Sequence, residues 1–372
     1  MNYKETLFFV AKCLTINHEE HNKRIVEEML QSNTVDWDEV VKLSTAHFVF
    51  PALYCNLKRA SFLSYLPEDL VEYMKYITDL NRERNEQILA QAEELNTLLL
   101  EHNITPIFIK GTGNLLEGLY EDIAERMVGD IDFICSPEDY PKAIKFLNLN
   151  GYHSKTKLKT SPTFRHYPRL INSSRISACE IHSDFLDEKY RHEFDYDFII
   201  KNIQTLNNFS LMNFKDQLTL TIATFQINEY GFLKKSLPLR NAYDVFLLSK
   251  KTNAKKAFLE FNALKHPLHC FLASCYEIFN KPKTLHCISS KKTEKYINSF
   301  YKLLFDRKLA EKTYEKTEKR RKNIILIRKY KIIFKSFFQK EYRVWLFKRI
   351  TDKNWQKRQL VKLGIKKPKP SP

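Results

Sequence analysis

Lys110-Gly-Thr-Gly113 and Gly129-Asp-Ile-Asp-Phe133 are the two segments that decide the fold of this chain. The 372 residues contain only seven glycines, and four of them lie within residues 111–129. Glycine costs backbone entropy on folding, so it is placed where a backbone turns tightly or approaches a ligand closely. The concentration of glycine beside two carboxylates therefore predicts a functional site.

The first segment has the pattern of a strand, a glycine turn and a helix. Residues 105–109 are rich in β-branched and aromatic side chains and predict a short buried strand. Gly111 to Gly113 then turn the chain into a helix expected at about residues 114–121. Such a turn, followed by a helix N-terminus, presents free backbone N–H groups to an anion such as a phosphate.

The second segment predicts a strand with two carboxylates on one face. Side chains alternate between the faces of a strand, so Asp130 and Asp132 point one way while Ile131 and Phe133 point into the core. Aspartate is poorly suited to strands, and two carboxylates on one face repel each other unless a cation lies between them. The alternative is a solvated sheet edge, on which Asp130 closes a turn after Gly129.

A third acidic group follows in residues 176–185, which alternate again and place Glu180 and His182 on one face. If this strand lies beside the first, its acid and the two aspartates can hold one or two Mg²⁺ ions through oxygen ligands. Metal ions held in this way bridge the phosphates of a nucleotide and lower the pKa of an attacking hydroxyl. The sequence therefore favours a metal site shared by two strands.

The basic residues between these strands allow two interpretations. Residues 156–175 include Arg165, His166, Arg169 and Arg175, which either clamp a triphosphate or an acceptor or lie solvated on the surface. The alternative to a metal site uses the same cations. In that interpretation Glu180 is buried and ion-paired, and its partner is Arg165, Arg169 or Lys110.

These elements together resemble the uncharacterised nucleotidyltransferase family of the DNA polymerase β-like superfamily. The resemblance rests on Lys110-Gly111, a helix ending near Arg126, the Gly-Asp-Ile-Asp-Phe segment, a helix ending in Asn-Gly-Tyr, and Glu180-Ile-His182. It covers about residues 81–185 and continues more weakly through residues 218–248, where Asp244 fits an aspartate of the family's helical segment.

Two departures from the family pattern are mild. Arg126-Met127-Val128 stands where the family usually has Arg-Pro and then a small residue before Gly-Asp, and the superfamily's usual Gly-Ser is Gly111-Thr112 here. Threonine keeps the hydroxyl but is bulkier. The third acid is a glutamate, as is usual for this branch, where many superfamily members have aspartate.

The resemblance implies an α+β fold, with a small mixed-sheet polymerase β-like nucleotidyltransferase core embedded between N-terminal and C-terminal helical regions. It implies that Asp130, Asp132 and Glu180 are catalytic and hold Mg²⁺ or Mn²⁺. The substrate is expected to be an NTP, with ATP as the expected nucleotide. The residues expected to contact it, or to support the metal site, are Lys110, Gly111, Thr112, Gly113, Arg126, Gly129 and His182.

The resulting functional prediction is transfer of a nucleoside monophosphate from an NTP to an acceptor, with release of pyrophosphate. The acceptor is open between a small molecule, a sugar phosphate, a protein side chain and a tRNA. Two alternatives belong to other classes. One is an inactive nucleotide- or nucleic-acid-binding protein with this fold, and the other is a membrane-surface interaction protein that acts through its basic tail.

Composition predicts several modules in a reducing compartment. A chain of this length can build more than one core, and the expected regions are helical residues 1–80, the catalytic core 81–190, a helical domain 191–300 and a basic aromatic helical tail 301–372. Seven cysteines without framework spacing, no signal peptide and no apolar run long enough for a membrane span predict a cytoplasmic protein. A zinc site from Cys270, Cys275, Cys287, His269 and His286 is the weaker alternative to buried helical cysteines.

The positive charge is concentrated at the C-terminal end. Residues 301–372 contain 24 Lys and Arg against 6 Asp and Glu, while the other 300 residues are nearly neutral. Between residues 329 and 349 the bases alternate with aromatic residues, and Phe334, Phe338, Tyr342 and Trp345 form one helical stripe. The stripe packs on the protein's own helices, on an anionic membrane surface or on nucleic acid. Residues 366–372 predict a disordered end.

Overall fold

The computed structural model describes residues 1–154, 164–286 and 290–362. Helices predominate, and they precede, interrupt and follow one mixed sheet. The α-helices of these residues are α1 Tyr3–Cys13, α2 Glu20–Gln31, α3 Trp37–Ala46, α4 Phe50–Arg59, α5 Glu68–Leu100, α6 Lys110–Leu116, α7 Tyr140–Leu149, α8 Tyr196–Ile199, α9 Phe214–Ala223, α10 Gly231–Lys234, α11 Leu239–Lys251, α12 Ala254–Ala257, α13 Lys265–Ile278, α14 Lys291–Phe305, α15 Arg307–Phe338, α16 Lys340–Ile350 and α17 Lys353–Lys362.

The strands form one sheet, whose order in the described part of the chain is β3-β4-β5-β2-β1-β7-β6. They are β1 Ile107–Phe108, β2 Asp130–Ile134, β3 His153–Ser154, β4 Leu170–Ile171, β5 Ala178–His182, β6 Ile203–Leu206 and β7 Phe209–Met212. β2 runs antiparallel to β1 and parallel to β5. The expectation of an α+β protein with a mixed sheet between helical regions is therefore confirmed at this level.

The centre of the sheet follows from the alternation of its residues. Ile131 and Phe133 of β2, and Cys179 and Ile181 of β5, are fully buried. The intervening polar residues point to the opposite face of the sheet. The polar face of β2 and β5 is therefore fixed by the burial of the apolar face, because a slip of one residue would exchange the two faces.

The glycine turn is tighter than the sequence indicates. Helix α6 begins at Lys110 rather than near residue 114, and the chain leaves helical geometry after Leu116. Lys110 itself has a φ of 56°, so the sharp change of direction occurs at a lysine and the two glycines lie inside the first helical turns. A Cβ on Gly113 would lie 2.9 Å from the carbonyl oxygen of Phe108, which explains why this position is glycine.

Two helix starts are explained by nearby residues. Helix α5 starts at Glu68 after Pro67 and has acidic residues in its first turn. The boundary expected between residues 80 and 81 therefore lies inside one continuous helix. The helix that ends before Asn-Gly-Tyr is α7, which begins at Tyr140, because Ser136 caps a separate turn by accepting a hydrogen bond from the N–H of Asp139 (3.1 Å).

The hydrophobic core is shared by the sheet and the helices around it. One cluster of buried residues extends from Leu7 in α1, through the sheet, to Phe300 in α14. Residues 218–223 and 245–248 lie in the buried helices α9 and α11, within the region 191–300 that was expected to be helical. Cys270 and Cys275 are buried in α13, whereas Cys287 of the alternative zinc site lies outside the described residues.

The predicted stripe of four aromatic residues at the C-terminal end is wrong. Helix α15 ends at Phe338, and Gln339 has extended geometry (φ −116°, ψ 120°), so Phe338 and Tyr342 do not belong to one helix. Phe334 and Phe338 are exposed, whereas Tyr342 is buried.

Residues 366–372, which were predicted to be a disordered end, lie outside the described part of the chain. None of the helices in that part is both long and apolar enough to cross a membrane.

Candidate active site

The pairing of β2 with β5 brings the predicted acids together. In the parallel register Asp132 lies opposite Glu180, and Ile134 lies opposite His182. The two strands are separated by more than forty residues of chain, so only the sheet makes them neighbours. The carboxylates and the imidazole reach the same side because the residues between them are buried on the other.

Asp132, Glu180 and His182 form a compact group of donors. One ligand atom of each lies within 4.8 Å of the others. A search of the described residues for three or more His, Cys, Asp or Glu side chains with this spacing finds this group. His182 Nε2 lies 2.7 Å from Asp132 Oδ1 and 3.9 Å from Glu180 Oε2. Two carboxylates and an imidazole suit a divalent cation.

Asp130 shares this side of the sheet but reaches the group through an arginine. The guanidinium of Arg169 is ion-paired with Asp130, and its Nε lies 2.9 Å from Glu180 Oε1. The donor group thus contains His182, which the sequence placed in a supporting role, while Asp130 lies beside it. The ion pair between Glu180 and Arg169 is also the one that the alternative interpretation expected.

Lys110 supplies a second cation at the centre of the site. Its Nζ lies 2.6 Å from Asp132 Oδ1 and 3.2 Å from His182 Nε2. The position follows from α6, which begins at this residue directly after β1. The Lys110 ammonium therefore lies between the carboxylate of Asp132 and the imidazole of His182, and its positive charge neutralises Asp132.

Burial and neighbouring charges give the two aspartates different pKa values. Burial and the nearby Glu180 raise the pKa of Asp130 to about 6. Burial alone would also raise the pKa of Asp132, but the Lys110 ammonium and His182 outweigh it and hold that pKa well below its usual range. Burial and Lys110 lower the pKa of His182, which favours the neutral imidazole that binds metals.

The expected phosphate-binding residues divide into two groups. Lys110, Gly111 and Gly129 line the cleft beside the acids. Thr112 and Gly113 are buried, and the Thr112 hydroxyl donates to the backbone carbonyl of Asp130 at 3.1 Å. These two therefore support the strand that carries the aspartates.

Arg126 is engaged in a buried ion pair. Its Nε lies 3.0 Å from Asp244 Oδ2 on α11, and both side chains are almost fully buried. Tyr120 donates its hydroxyl proton to the other oxygen of Asp244 at 2.8 Å. Asn85 of α5 donates to the backbone carbonyl of Arg126 at 2.8 Å. Arg126 therefore has a structural role, which joins the sheet to α11, and its expected contact with the nucleotide stays a prediction.

Asp130, Asp132 and Glu180 line a cleft of about 400 Å³ whose other walls carry basic residues. Arg165, His166 and Arg169 line it, as the clamp interpretation expected, whereas Arg175 lies on the surface and pairs with Glu94 at 2.9 Å. The segment that carries the three lining residues runs along β5, where the N–H of Tyr167 donates to the carbonyl of Ile181 at 2.8 Å.

Arg240 is a lining residue that sequence reasoning missed. It lies in the first turn of α11, and its Nε is buried without a hydrogen-bond partner among the described residues. Burial and the nearby Arg126 lower its pKa. Its spacing from Asp244 could have predicted this position, since residues four apart lie on the same face of a helix. A half-buried guanidinium whose Nε has no partner among the described residues is suited to a bound anion.

The comparison with protein families agrees with this geometry. The fold and site define an α+β protein with an acid and imidazole donor group in a basic cleft. The family model described as "Uncharacterised nucleotidyltransferase" matches residues 33–280, which is more than half of the chain. The chain therefore belongs to this uncharacterised nucleotidyltransferase family. A search of curated proteins finds no match to it.

Proposed function

We propose that this protein is a metal-dependent nucleotidyltransferase, which transfers a nucleoside monophosphate from an NTP to an acceptor and releases pyrophosphate. The observation that carries the proposal is the convergence of Asp132, Glu180 and His182 in a cleft whose other walls are basic. Family membership supports the reaction class. The mixed sheet with its helix after β1 supports a polymerase β-like arrangement of the core.

The donor set fits a divalent metal ion such as Mg²⁺ or Mn²⁺. Asp132 and Glu180 offer hard oxygen ligands, His182 offers a nitrogen, and the Lys110 ammonium already stands beside them as a cation. Asp130 lies close enough to share Arg169 with Glu180 and is the further candidate ligand. When bound, the metal would supply charge stabilisation on the phosphates and lower the pKa of the acceptor hydroxyl.

The basic residues of the cleft bind and orient the triphosphate in this proposal. Among the described residues, the buried Nε of Arg240 has no hydrogen-bond partner, and the ion pair of Arg165 is a long contact of 3.7 Å to Asp187. Arg169 is 59% exposed, so it can leave the two acids and turn to the phosphates without disrupting the core. Positioning of this kind, with charge stabilisation, accounts for most catalysis of phosphoryl chemistry.

The acceptor and the base of the NTP are open. A small molecule, a sugar phosphate, a protein side chain and a tRNA end all offer a hydroxyl or equivalent nucleophile. We propose ATP as the first nucleotide to test and, from the cysteine usage, the cytoplasm as the compartment.

The test is transfer of label from each α-labelled NTP, with Mg²⁺ or Mn²⁺ and a cell extract as the source of acceptor. Asp130→Asn with Asp132→Asn should abolish both label transfer and pyrophosphate release. Glu180→Gln should do the same, whereas Glu94→Gln, which removes a surface carboxylate from an ion pair, should leave transfer unchanged. Transfer that survives the double aspartate variant would reject the site.

A second candidate is nucleotide binding without transfer. It is favoured by one observation, namely that Lys110 and Arg169 together pair with Asp130, Asp132 and Glu180. Calorimetry with Mn²⁺ and ATP separates the two candidates. Nucleotide affinity without pyrophosphate release, in the presence of each acceptor class, would favour the binding protein.

A further inference from the structure

The long helix α15 exposes an apolar face to solvent over its C-terminal half. Phe334, Phe337 and Phe338 are 65%, 69% and 74% exposed, and the rings of Phe334 and Phe338 lie 5.3 Å apart. The residues that form this outer face are Leu326, Tyr330, Ile333, Phe334, Phe337 and Phe338. Contiguous exposed apolar surface of this kind marks an interaction site.

The opposite face of the same helix is attached to the protein. Arg328 is ion-paired with Asp187, Lys335 lies 2.6 Å from Glu188, and Ile332 and Ser336 are buried. At 100° per residue these positions cluster about 180° from the outer face. The helix therefore turns charged side chains inward and aromatic side chains outward, which is the reverse of a helix that only completes a soluble fold.

Helix α16 carries further exposed apolar side chains beyond the break at Gln339. Phe347 is exposed, and so are Val344 and Ile350. Tyr342 is buried, and the Lys335 ammonium lies 5.2 Å from the centre of its ring, so α16 is fixed next to α15. The aromatic residues of both helices are thus held on the same part of the protein by packing at their inner sides.

The charge around this surface is almost entirely positive. Residues 319–349 contain twelve Lys and Arg against a single acidic residue, Glu341. Lys329 and Lys331 are exposed and flank the outer face on its two sides. An apolar strip between rows of lysine is the pattern of a helix that lies in the interface of an anionic membrane.

We infer that the outer face of α15, with α16, binds the surface of a membrane that contains anionic lipids. The centre of the face includes aliphatic side chains, which pack well against acyl chains. A nucleic acid is less favoured, because its bases stack on aromatic rings and its phosphates pair with cations. A second copy of this chain is disfavoured, because the flanking lysines of two identical faces would repel each other. The helix pair lies along the membrane surface, with the phenylalanine rings in the headgroup region.

The test is flotation of the full chain with vesicles of phosphatidylcholine containing phosphatidylserine and with vesicles of phosphatidylcholine alone. We expect binding to the anionic vesicles, weak binding to the neutral ones and a loss of binding as salt is raised. Phe334→Ser with Phe337→Ser should lower the partition coefficient roughly 50-fold, since each ring contributes buried apolar area. Lys329→Glu with Lys331→Glu should lower it roughly tenfold or more.

The matched control is Tyr76→Ser with Leu149→Ser, which removes two equally exposed apolar side chains from α5 and α7. This variant should bind as the parent chain does. All variants change exposed residues, so unchanged circular dichroism and melting temperature will verify folding. The inference is overturned if anionic vesicles are not bound, if the phenylalanine variant binds as tightly as the control, or if neutral vesicles are bound equally well. Single-stranded RNA binding or self-association that depends on the same phenylalanines, without vesicle binding, would also overturn it.

Discussion

The buried ion pair between Arg126 and Asp244 offers a quantitative test of how the sheet is attached to the helices behind it. Asp244→Asn keeps the shape of the side chain and an acceptor for the Tyr120 hydroxyl, but it removes the charge that faces Arg126. The two side chains are only 10% and 2% exposed, so the arginine would keep its charge in a buried place without a partner.

The expected cost follows from that burial. Removing one partner of a buried pair destabilises a protein by about 3–5 kcal/mol. For a chain of this length the entropy of unfolding near the melting temperature is about 0.8 kcal/mol/K. Asp244→Asn should therefore lower the melting temperature by about 4–6 °C in differential scanning calorimetry.

The control is Asp79→Asn, which breaks a surface pair with Lys75 and Arg82 in which the aspartate is 44% exposed. A change below about 1 °C is expected there, because exposed ion pairs contribute little. Adding Arg126→Met to Asp244→Asn should recover part of the loss, since the unpartnered charge is then gone. If Asp244→Asn melts within 1 °C of the parent chain, the reasoning about this ion pair is refuted.

Three further predictions concern single positions. Gly113→Ala should lower stability by about 1–3 kcal/mol in thermal melts, because its Cβ would meet the Phe108 carbonyl, whereas Gly129→Ala, with open space around it, should change stability little; equal effects would contradict this. Burial raises the pKa of Glu117 to about 7 from an ordinary 4.5, so the stability that this carboxyl contributes is complete below pH 4.5 and is lost as the pH rises through 7. Glu117→Gln should therefore melt above the parent chain at pH 8 and close to it at pH 4.5, and a gap independent of pH would show that this carboxyl does not titrate as described. Arg240→Ala should raise the KM for NTP about tenfold or more with little change in melting temperature, and an unchanged KM would remove Arg240 from the proposed nucleotide site.

The local elements of the site were predictable because they depend on short-range alternation. The pattern of Asp130 to Phe133 specifies a strand with one acidic and one buried face, and Cys179 to His182 repeats it. Burial of Ile131, Phe133, Cys179 and Ile181 confirms that orientation. The concentration of glycine similarly located α6, although the turn itself lies just before the glycines, at Lys110.

The exact start of α6 was not predictable from the same pattern. Lys110 takes a left-handed φ, which lysine rarely adopts, and the helix begins there because β1 and the buried Thr112 hold the turn from both sides. The start of α6 is therefore set by packing around the turn. Intrinsic preference alone would have placed the turn at the glycines.

The sequence by itself determined the two strands that carry the acids (β2 and β5), the faces on which the acids lie and the concentration of positive charge near the C-terminal end. Each of these depends on residues a few positions apart, whose periodicity or charge is read directly from the chain.

Only the tertiary structure decided which groups meet. The register of β2 and β5 places Asp132 against Glu180 and His182, and Arg169 joins Asp130 to Glu180. Arg240 is left in the cleft with a donor that no described residue pairs with. The outward direction of the α15 aromatics was decided in the same way, through the ion pairs on its inner face. Contacts between residues distant in the chain depend on how a whole core packs, which local periodicity does not specify.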